Sequence, residues 1–477
     1  MMRGVVLLLL FFVCARSAAQ DSIQVMRLRD YYELVLAHHP VVKQAANFSE
    51  MARAEIRTAR GGFDPLLKSD YEEKKFDQKN YWTRWESKLI VPVWSGADIK
   101  IAYDDNNGRL LDNQYAVPEG GLSYVGISVP LGQGLLIDQR RATLRQAQQL
   151  SRMAEAERVK TINKLLLSAA KTYWEWTFTR ERLQLHQDAL RLASERFEAI
   201  RARVLFGDLP AIDSLEAYIE VQNRRNVLTQ SDLESRNARL IASNFLWNTS
   251  GDPVELPPSV LPVFDAADLD TISREQQGLL LELARINHPE LLKLDAKKNQ
   301  LEIERRWAAE KLRPKLNFDY NFLQGGVTPW EGRPAEWQFN NNYKMGFVFS
   351  LPLFLREERG KLGLVKLKIE QLGFDQRQLQ REILTEVNTS WNQLTLLGDQ
   401  IRIQEEQVKN AALMLEGELF RFNNGESSIF LINTRENALI NSKIKLVELK
   451  SKYAGSKAYL YWSAGTLNSD YGSVTGR

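Results

Sequence analysis

The stretch VKTINKLLLSAAKTYWEWTFTRERLQLHQDALRLASERFEAIRARVLFGDLPAID, residues 159–213, decides the fold. Val159, Ile162, Leu166, Ala169, Tyr173 and Trp176 step by three and four, the spacing of one helix face. A seven-residue series continues it through Leu183, Leu190, Phe197 and Val204, which predicts coiled-coil packing. Neither proline nor glycine interrupts the chain from Ile137 to Phe206. Seventy helical residues make a rod of roughly 105 Å, far beyond the core helix of a compact domain. It is a spacer. Phe206-Gly207-Asp208-Leu209-Pro210 ends it: Gly207 suits a left-handed C-terminal position and Pro210 the first turn of a returning helix.

The rod occurs twice. Leu394, Ile401, Val408, Leu415 and Phe422 repeat the heptad series 218 positions later, and Asn424-Gly425 stops it, with Ser427 or Ser428 placed to cap the returning helix. Working outward, His39-Pro40 recurs as His288-Pro289, Pro65 as Pro314, and Asp70-Tyr71 as Asp319-Tyr320, all at an offset of 249. Val129-Pro130-Leu131 matches Leu351-Pro352-Leu353 at 222, and Thr172 and Trp174 match Thr389 and Trp391 at 217. Constant order with a one-way drift signals an internal duplication. The drop from 249 to 222 gives the first copy about 27 extra residues between Pro65 and Pro130.

Each copy reads as helix, strands, long helix, turn, helix. Leu316, Phe318, Tyr320 and Phe322 alternate with Asn317, Asp319 and Asn321; Met345, Phe347, Phe349 and Leu351 alternate with Lys344, Gly346, Val348 and Ser350. Weaker sets in the first copy are Trp85, Ser87, Leu89 and Val91, then Ile99, Ile101 and Tyr103, then Val125, Ile127 and Val129. Period two with one apolar face predicts half-buried strands, against either lipid or a protein core. Aromatic placement favours lipid. Windows 63–136 and 314–354, about a quarter of the chain, hold 12 of its 26 Trp and Tyr, with Trp82, Trp85, Trp94, Trp330 and Trp337 near strand ends.

Composition narrows the function. The 27 glycines and 15 prolines in 477 residues are fewer than average, as long unbroken elements require. Basic and acidic residues nearly balance at 63 and 60, so a polyanion finds no basic surplus and nucleic-acid binding is disfavoured. Residues 1–19, with Arg3, the apolar run Val5–Val13 and Ser17-Ala18-Ala19, form a secretory signal too short to span a membrane. Its removal takes Cys14, the only cysteine, and with it any thiol, disulfide or zinc-thiolate chemistry. No downstream apolar run reaches 18 residues, so membrane residence requires a β-barrel. His38, His39, His186 and His288 fall in no metal-binding spacing, and Gly132-x-Gly134 lacks the lysine of a phosphate loop. The chain reads as neither an enzyme nor a cofactor or metal protein.

The duplicated plan, the His-Pro breaks, the Val-Pro-Leu strand exit, the tip Gly207-Asp208-Leu209-Pro210-Ala211-Ile212-Asp213 and the closing Ala464-Gly465-Thr466-Leu467 together resemble the TolC-type outer-membrane factors, over nearly the whole mature chain. The resemblance implies an α plus membrane β-barrel fold: a trimeric outer-membrane barrel, four strands per protomer, continued by a periplasmic α-helical coiled-coil barrel. It also implies a passive exit duct for tripartite efflux or type I secretion, with outer-membrane lipid, a periplasmic adaptor and an inner-membrane transporter as partners and no nucleic acid. The alternative is a periplasmic coiled-coil adaptor or structural protein outside the membrane.

On that plan residues 20–250 form the first repeat, with strands within 63–131 and a helical hairpin over 137–247 whose tip is 207–213. Residues 251–275, with Pro253, Pro257, Pro258 and Pro262, link it to a second repeat at 276–467, and 468–477 is a tail. The second repeat places strands within 314–353 and a hairpin over 356–462 with its tip at 424–431. Asn317, Asp319, Asn321 and Lys344 are expected to face a wet lumen. Asp213 matches a position where the family places a constricting carboxylate, and Gly207, Leu209 and Gly425 match tip residues that meet the adaptor. The second tip departs from the pattern: Ser427, Leu431 and Thr434 stand where relatives carry an arginine and further carboxylates, so closure there is expected to rest on Phe430 and Leu431. The extra 27 residues fit an extracellular hairpin, a periplasm-facing extension or additional barrel wall.

Overall fold

The computed structural model describes residues 24–325 and 341–468. The signal segment, Cys14, Trp330, Trp337 and all of the tail but its first residue lie outside the described residues. In chain order the elements are β1 (Gln24–Met26), α1 (Leu28–His38), α2 (Pro40–Arg60), β2 (Leu66–Phe76), β3 (Lys79–Pro92), β4 (Asp98–Asn107), β5 (Leu122–Pro130), α3 (Gln139–Leu205) and α4 (Ala211–Ser243). There follow β6 (Val260–Pro262), α5 (Arg274–Asn287), α6 (Pro289–Glu310), β7 (Lys315–Gly325), β8 (Tyr343–Ser350), α7 (Arg356–Asn423) and α8 (Ile429–Ser463). The helix–strands–rod–return order occurs twice.

Local chemistry sets the boundaries. Both His-Pro pairs break a helix, and the histidine caps the next one: His39 Nδ1 accepts from Val41 N at 3.1 Å and His288 Nδ1 from Glu290 N at 3.3 Å. Proline then fills the first helical position, where an N–H has no partner anyway. The rods α3 and α7 run 67 and 68 residues, roughly 100 Å each. The returns α4 and α8 span 33 and 35 residues, only half that length. Each rod is therefore completed by a second partner: α3 packs on α4 and on α2, α7 on α8 and on α6.

A belt closes the middle. β1 pairs in parallel with β6 of the linker, and the Tyr173 hydroxyl donates to Met26 O at 2.8 Å while accepting from Val263 N at 3.2 Å. Tyr31, Tyr173 and Trp176 are fully buried there, and Trp174 stacks on Phe264. Among the described residues no helix is long and apolar enough to cross a membrane.

Six strands form one antiparallel sheet in the order β2-β3-β4-β5-β7-β8, open at β2 and β8. β2, with its sequence LLKSDYEEKKF, is a strand that the period-two reading passed over because charge masks the alternation. The repeat matches locate the insertion. β2 is the counterpart of β7 through Pro65 and Asp70-Tyr71, and β5 of β8 through its Val-Pro-Leu exit. The extra residues are thus the hairpin β3–β4, lying within the sheet rather than beyond its ends. β2 and β3 join through Asp77 and Gln78, both with positive φ, as a two-residue hairpin turn demands.

Candidate functional site

Two surfaces carry the chemistry: the sheet at one end of the rods and the hairpin tips at the other.

Directly opposed residues in an antiparallel ladder share a face. One face carries Leu67, Leu89, Ile101, Val125 and Phe322 along one row, and Tyr320, Met345, Phe318 and Phe347 beside it. Much of this face has no cover: Leu67 is 73% exposed and Phe347 63%. Its aromatics pack on one another, Phe318 tilted against Phe347 at 4.9 Å and Tyr320 edge-on to Phe322 at 4.8 Å between ring centres. Such a continuous apolar surface on a water-exposed sheet would be an aggregation site; against hydrocarbon it is a barrel exterior.

The opposite face is charged. Lys68 and Lys88, Asp70 and Glu86, and Glu72 and Arg84 lie directly opposite each other on β2 and β3. Asn317, Asp319, Asn321 and Lys344 fall on this same face, Asn321 and Lys344 as direct partners. Lys100 Nζ reaches Asp319 Oδ1 at 2.6 Å across Gly126, where a Cβ would strike the Asn321 side chain. The connection after β4 folds over this face: the Arg84 guanidinium lies 3.9 Å from the Tyr115 ring, and Asn106 Nδ2 donates to Tyr115 O at 2.9 Å.

At the other end both rods stop by the same backbone device. Gly207, at φ +82°, donates to Val204 O and Asp208 to Arg203 O; Gly425, at φ +78°, donates to Phe422 O and Glu426 to Arg421 O. These paired bonds are the Schellman arrangement, for which the left-handed glycine is required. Nothing lies within 4 Å of a Cβ built at either glycine, so both tips stand free in the single chain. Leu209 tucks against a small core of Ile200, Ala217 and Ile429. Exposed apolar residues at the tips include Leu205 and Phe206, 80% and 84% accessible, with Ile212, Leu215, Phe420 and Phe430.

Asp213 lies in the first turn of α4, half-buried, where its charge also favours the positive helix end. At the second tip Phe430 points outward, Leu431 is half-buried, and Ile429 and Ile432 are the residues packed inside the chain. The Ser427 hydroxyl donates to Glu418 Oε1 at 2.5 Å, and the Thr434 hydroxyl bonds its own helix at Phe430 O.

A cluster that sequence reading missed ties the two hairpins together. Arg196 of α3 grips Glu436 of α8 at 2.9 and 3.0 Å, and Arg224 of α4 approaches the same carboxylate at 3.6 Å. Glu436 and Arg224 are buried, and Arg224 also pairs with Glu220 at 2.8 Å. In sequence these charges are indistinguishable from a solvated helix face; only the crossing of α3, α4 and α8 brings them together.

The profile of the family described as "Outer membrane efflux protein" matches residues 118–248 and 280–466. The matched part begins after β4, so β2, β3 and β4 lie outside it. No curated protein matches the chain by sequence. Solved structures match its fold along most of its length. The CmeC outer membrane channel of Campylobacter jejuni aligns at 13% identity and TM-score 0.62, over 92% of this chain and 86% of its own. The open-state MtrE outer membrane channel of Neisseria gonorrhoeae aligns at 14% identity and TM-score 0.65, over 92% and 89%. The outer membrane protein VceC of Vibrio cholerae aligns at 16% identity and TM-score 0.62, over 92% and 96%.

Proposed function

The chain belongs to the outer membrane efflux protein family, and from that premise we propose that it is the exit duct of a tripartite efflux or type I secretion assembly. It resides in the outer membrane, with its rods extending into the periplasm. The observation that carries this reading is the two-faced sheet. Its apolar side suits lipid, its charged side suits a water-filled lumen, and rods of roughly 100 Å lead away from it.

A sheet open at both edges leaves backbone N–H and C=O groups that hydrocarbon cannot satisfy. Three copies closing one ring remove the edges, so assembly as a homotrimer accompanies insertion. Asn317, Asp319, Asn321 and Lys344 then line the lumen. At the periplasmic entrance three copies of Asp213 form a ring that attracts cations and narrows the passage, and Phe430 and Leu431 pack where the copies converge. Gly207, Leu209 and Gly425 shape the tips that meet a periplasmic adaptor, joined there by the exposed Leu205 and Phe206. Conduction is passive, with energy drawn from an inner-membrane transporter. A periplasmic adaptor or structural protein would leave the apolar sheet face without purpose.

Membrane fractionation with chemical cross-linking tests the proposal. The chain is expected in the outer-membrane fraction, migrating as a trimer after cross-linking. Recovery as soluble periplasmic protein would overturn it.

A further inference from the structure

We propose that the barrel of this protein has eighteen strands, six from each of three copies, with β3 and β4 forming part of its wall and β8 of one copy pairing with β2 of the next. The inference rests on the trimeric duct proposed above and departs from the twelve strands that the family resemblance implies.

The ladder comes first. β3 is paired to β2 from Leu66↔Ile90 onward and to β4 from Thr83↔Asn107 to Pro92↔Asp98, and β4 is paired to β5 from Asp98↔Ser128 to Asp104↔Leu122. The inserted hairpin therefore sits between the counterparts of the two ordinary strands. Removing it from the wall would break hydrogen-bond ladders on both of its sides.

The faces agree with the ladder. Leu89 on β3 and Ile101 on β4 continue the apolar row between Leu67 and Val125, and Ile101 is 47% exposed. Lys88 and Lys100 occupy the charged face, and Lys100 is bound to Asp319 of the second repeat at 2.6 Å. An extracellular or periplasmic extension has no use for an apolar side in register with the barrel exterior. β3 and β4 are 14 and 10 residues long, against the roughly 9–11 that a tilted strand needs to cross a bilayer.

Strand direction makes the closure possible. β2 leaves the rod end after α2 and β8 returns to it before α7, so the free edges run in opposite senses and a second copy pairs antiparallel. An insertion of one strand would have forced a parallel seam; an inserted hairpin preserves the alternation. At a strand spacing of about 4.8 Å and a tilt of about 40°, eighteen strands close a backbone ring roughly 36 Å across, against roughly 24 Å for twelve. The open area of the wall is about doubled on the same geometry. The wall at the outer end of this duct is thus wide, and restriction falls to the periplasmic tips and to the connection bearing Tyr115.

Single-particle imaging of the full chain in lipid nanodiscs tests the count. A threefold ring of eighteen strands is expected. A threefold ring of twelve, with β3–β4 folded into the lumen or outside the membrane, would overturn the proposal while leaving the duct intact; absence of any threefold ring would overturn the duct itself. Cysteine labelling of the exported protein, whose signal segment held the one native cysteine, gives an independent reading. Lys100→Cys should react with a water-soluble maleimide and Ile101→Cys should escape it; equal labelling of the two would contradict a place in the wall.

Discussion

A titratable imidazole caps each helix break, and its tautomer decides whether the cap works. His39 and His288 accept a backbone N–H at Nδ1, which only the neutral ring can do there. Burial pushes both below the ordinary histidine value. Between that ordinary value of about 6.5 and the lower folded value, the unfolded chain binds protons that the folded chain refuses. Stability is therefore full above about pH 6.5 and falls as pH drops below it. His288→Asn keeps an acceptor at the cap without a titration. Melting between pH 7.5 and 5 should show a shallower acid loss in that variant than in the parent, and parallel curves would contradict the assignment. Asp213 is the residue on which conduction should depend. Asp213→Asn is expected to shift the reversal potential in a salt gradient toward weaker cation preference, and an unchanged potential would remove it from the entrance. The two His-Pro helix breaks were legible because their signal is local, whereas the capping by each imidazole came only with the structure; the direction of the Asp213 side chain in an assembly is not a local property.

Among the elements, the rods and their glycine stops were readable for the same reason. Heptads and left-handed glycines encode their geometry within a few residues: α3 ends at Leu205 and α7 at Asn423, each with a positive-φ glycine two residues on. Sheet order was not. β5 pairs with β7 across about 190 residues of sequence, and no pattern within either strand names its partner. β2 escaped because Glu72, Glu73, Lys74 and Lys75 obscure its alternation. The Arg196–Glu436–Arg224 cluster escaped because lone charges on long helices are ordinarily solvated. Its energetics are asymmetric: Glu436→Leu leaves the buried Arg224 with Glu220 alone and the half-buried Arg196 with only Asn433, and should cost about 3 kcal/mol locally. A lowered denaturation midpoint and a raised single-channel conductance are expected, since the cluster pins α8 to α3 and α4. Loss of stability without any change in conductance would make it a structural tie only.

For the whole molecule, scarcity of glycine and proline reflects two rods rather than several compact domains, and near-balanced charge suits a duct with no polyanion to hold. The duplication repeats one order of helices, strands, rod and return, while the hairpin β3–β4 is present in the first repeat alone. The periplasmic plan is thus shared between the repeats and the barrel is not, a division consistent with rods that must match partner proteins and a wall that meets only lipid and cargo. Planar-bilayer recording of the purified protein tests the central claim most directly. Discrete conductance steps, with cations preferred in a salt gradient, are the predicted result; a bilayer that stays silent after incorporation of the trimer would contradict it.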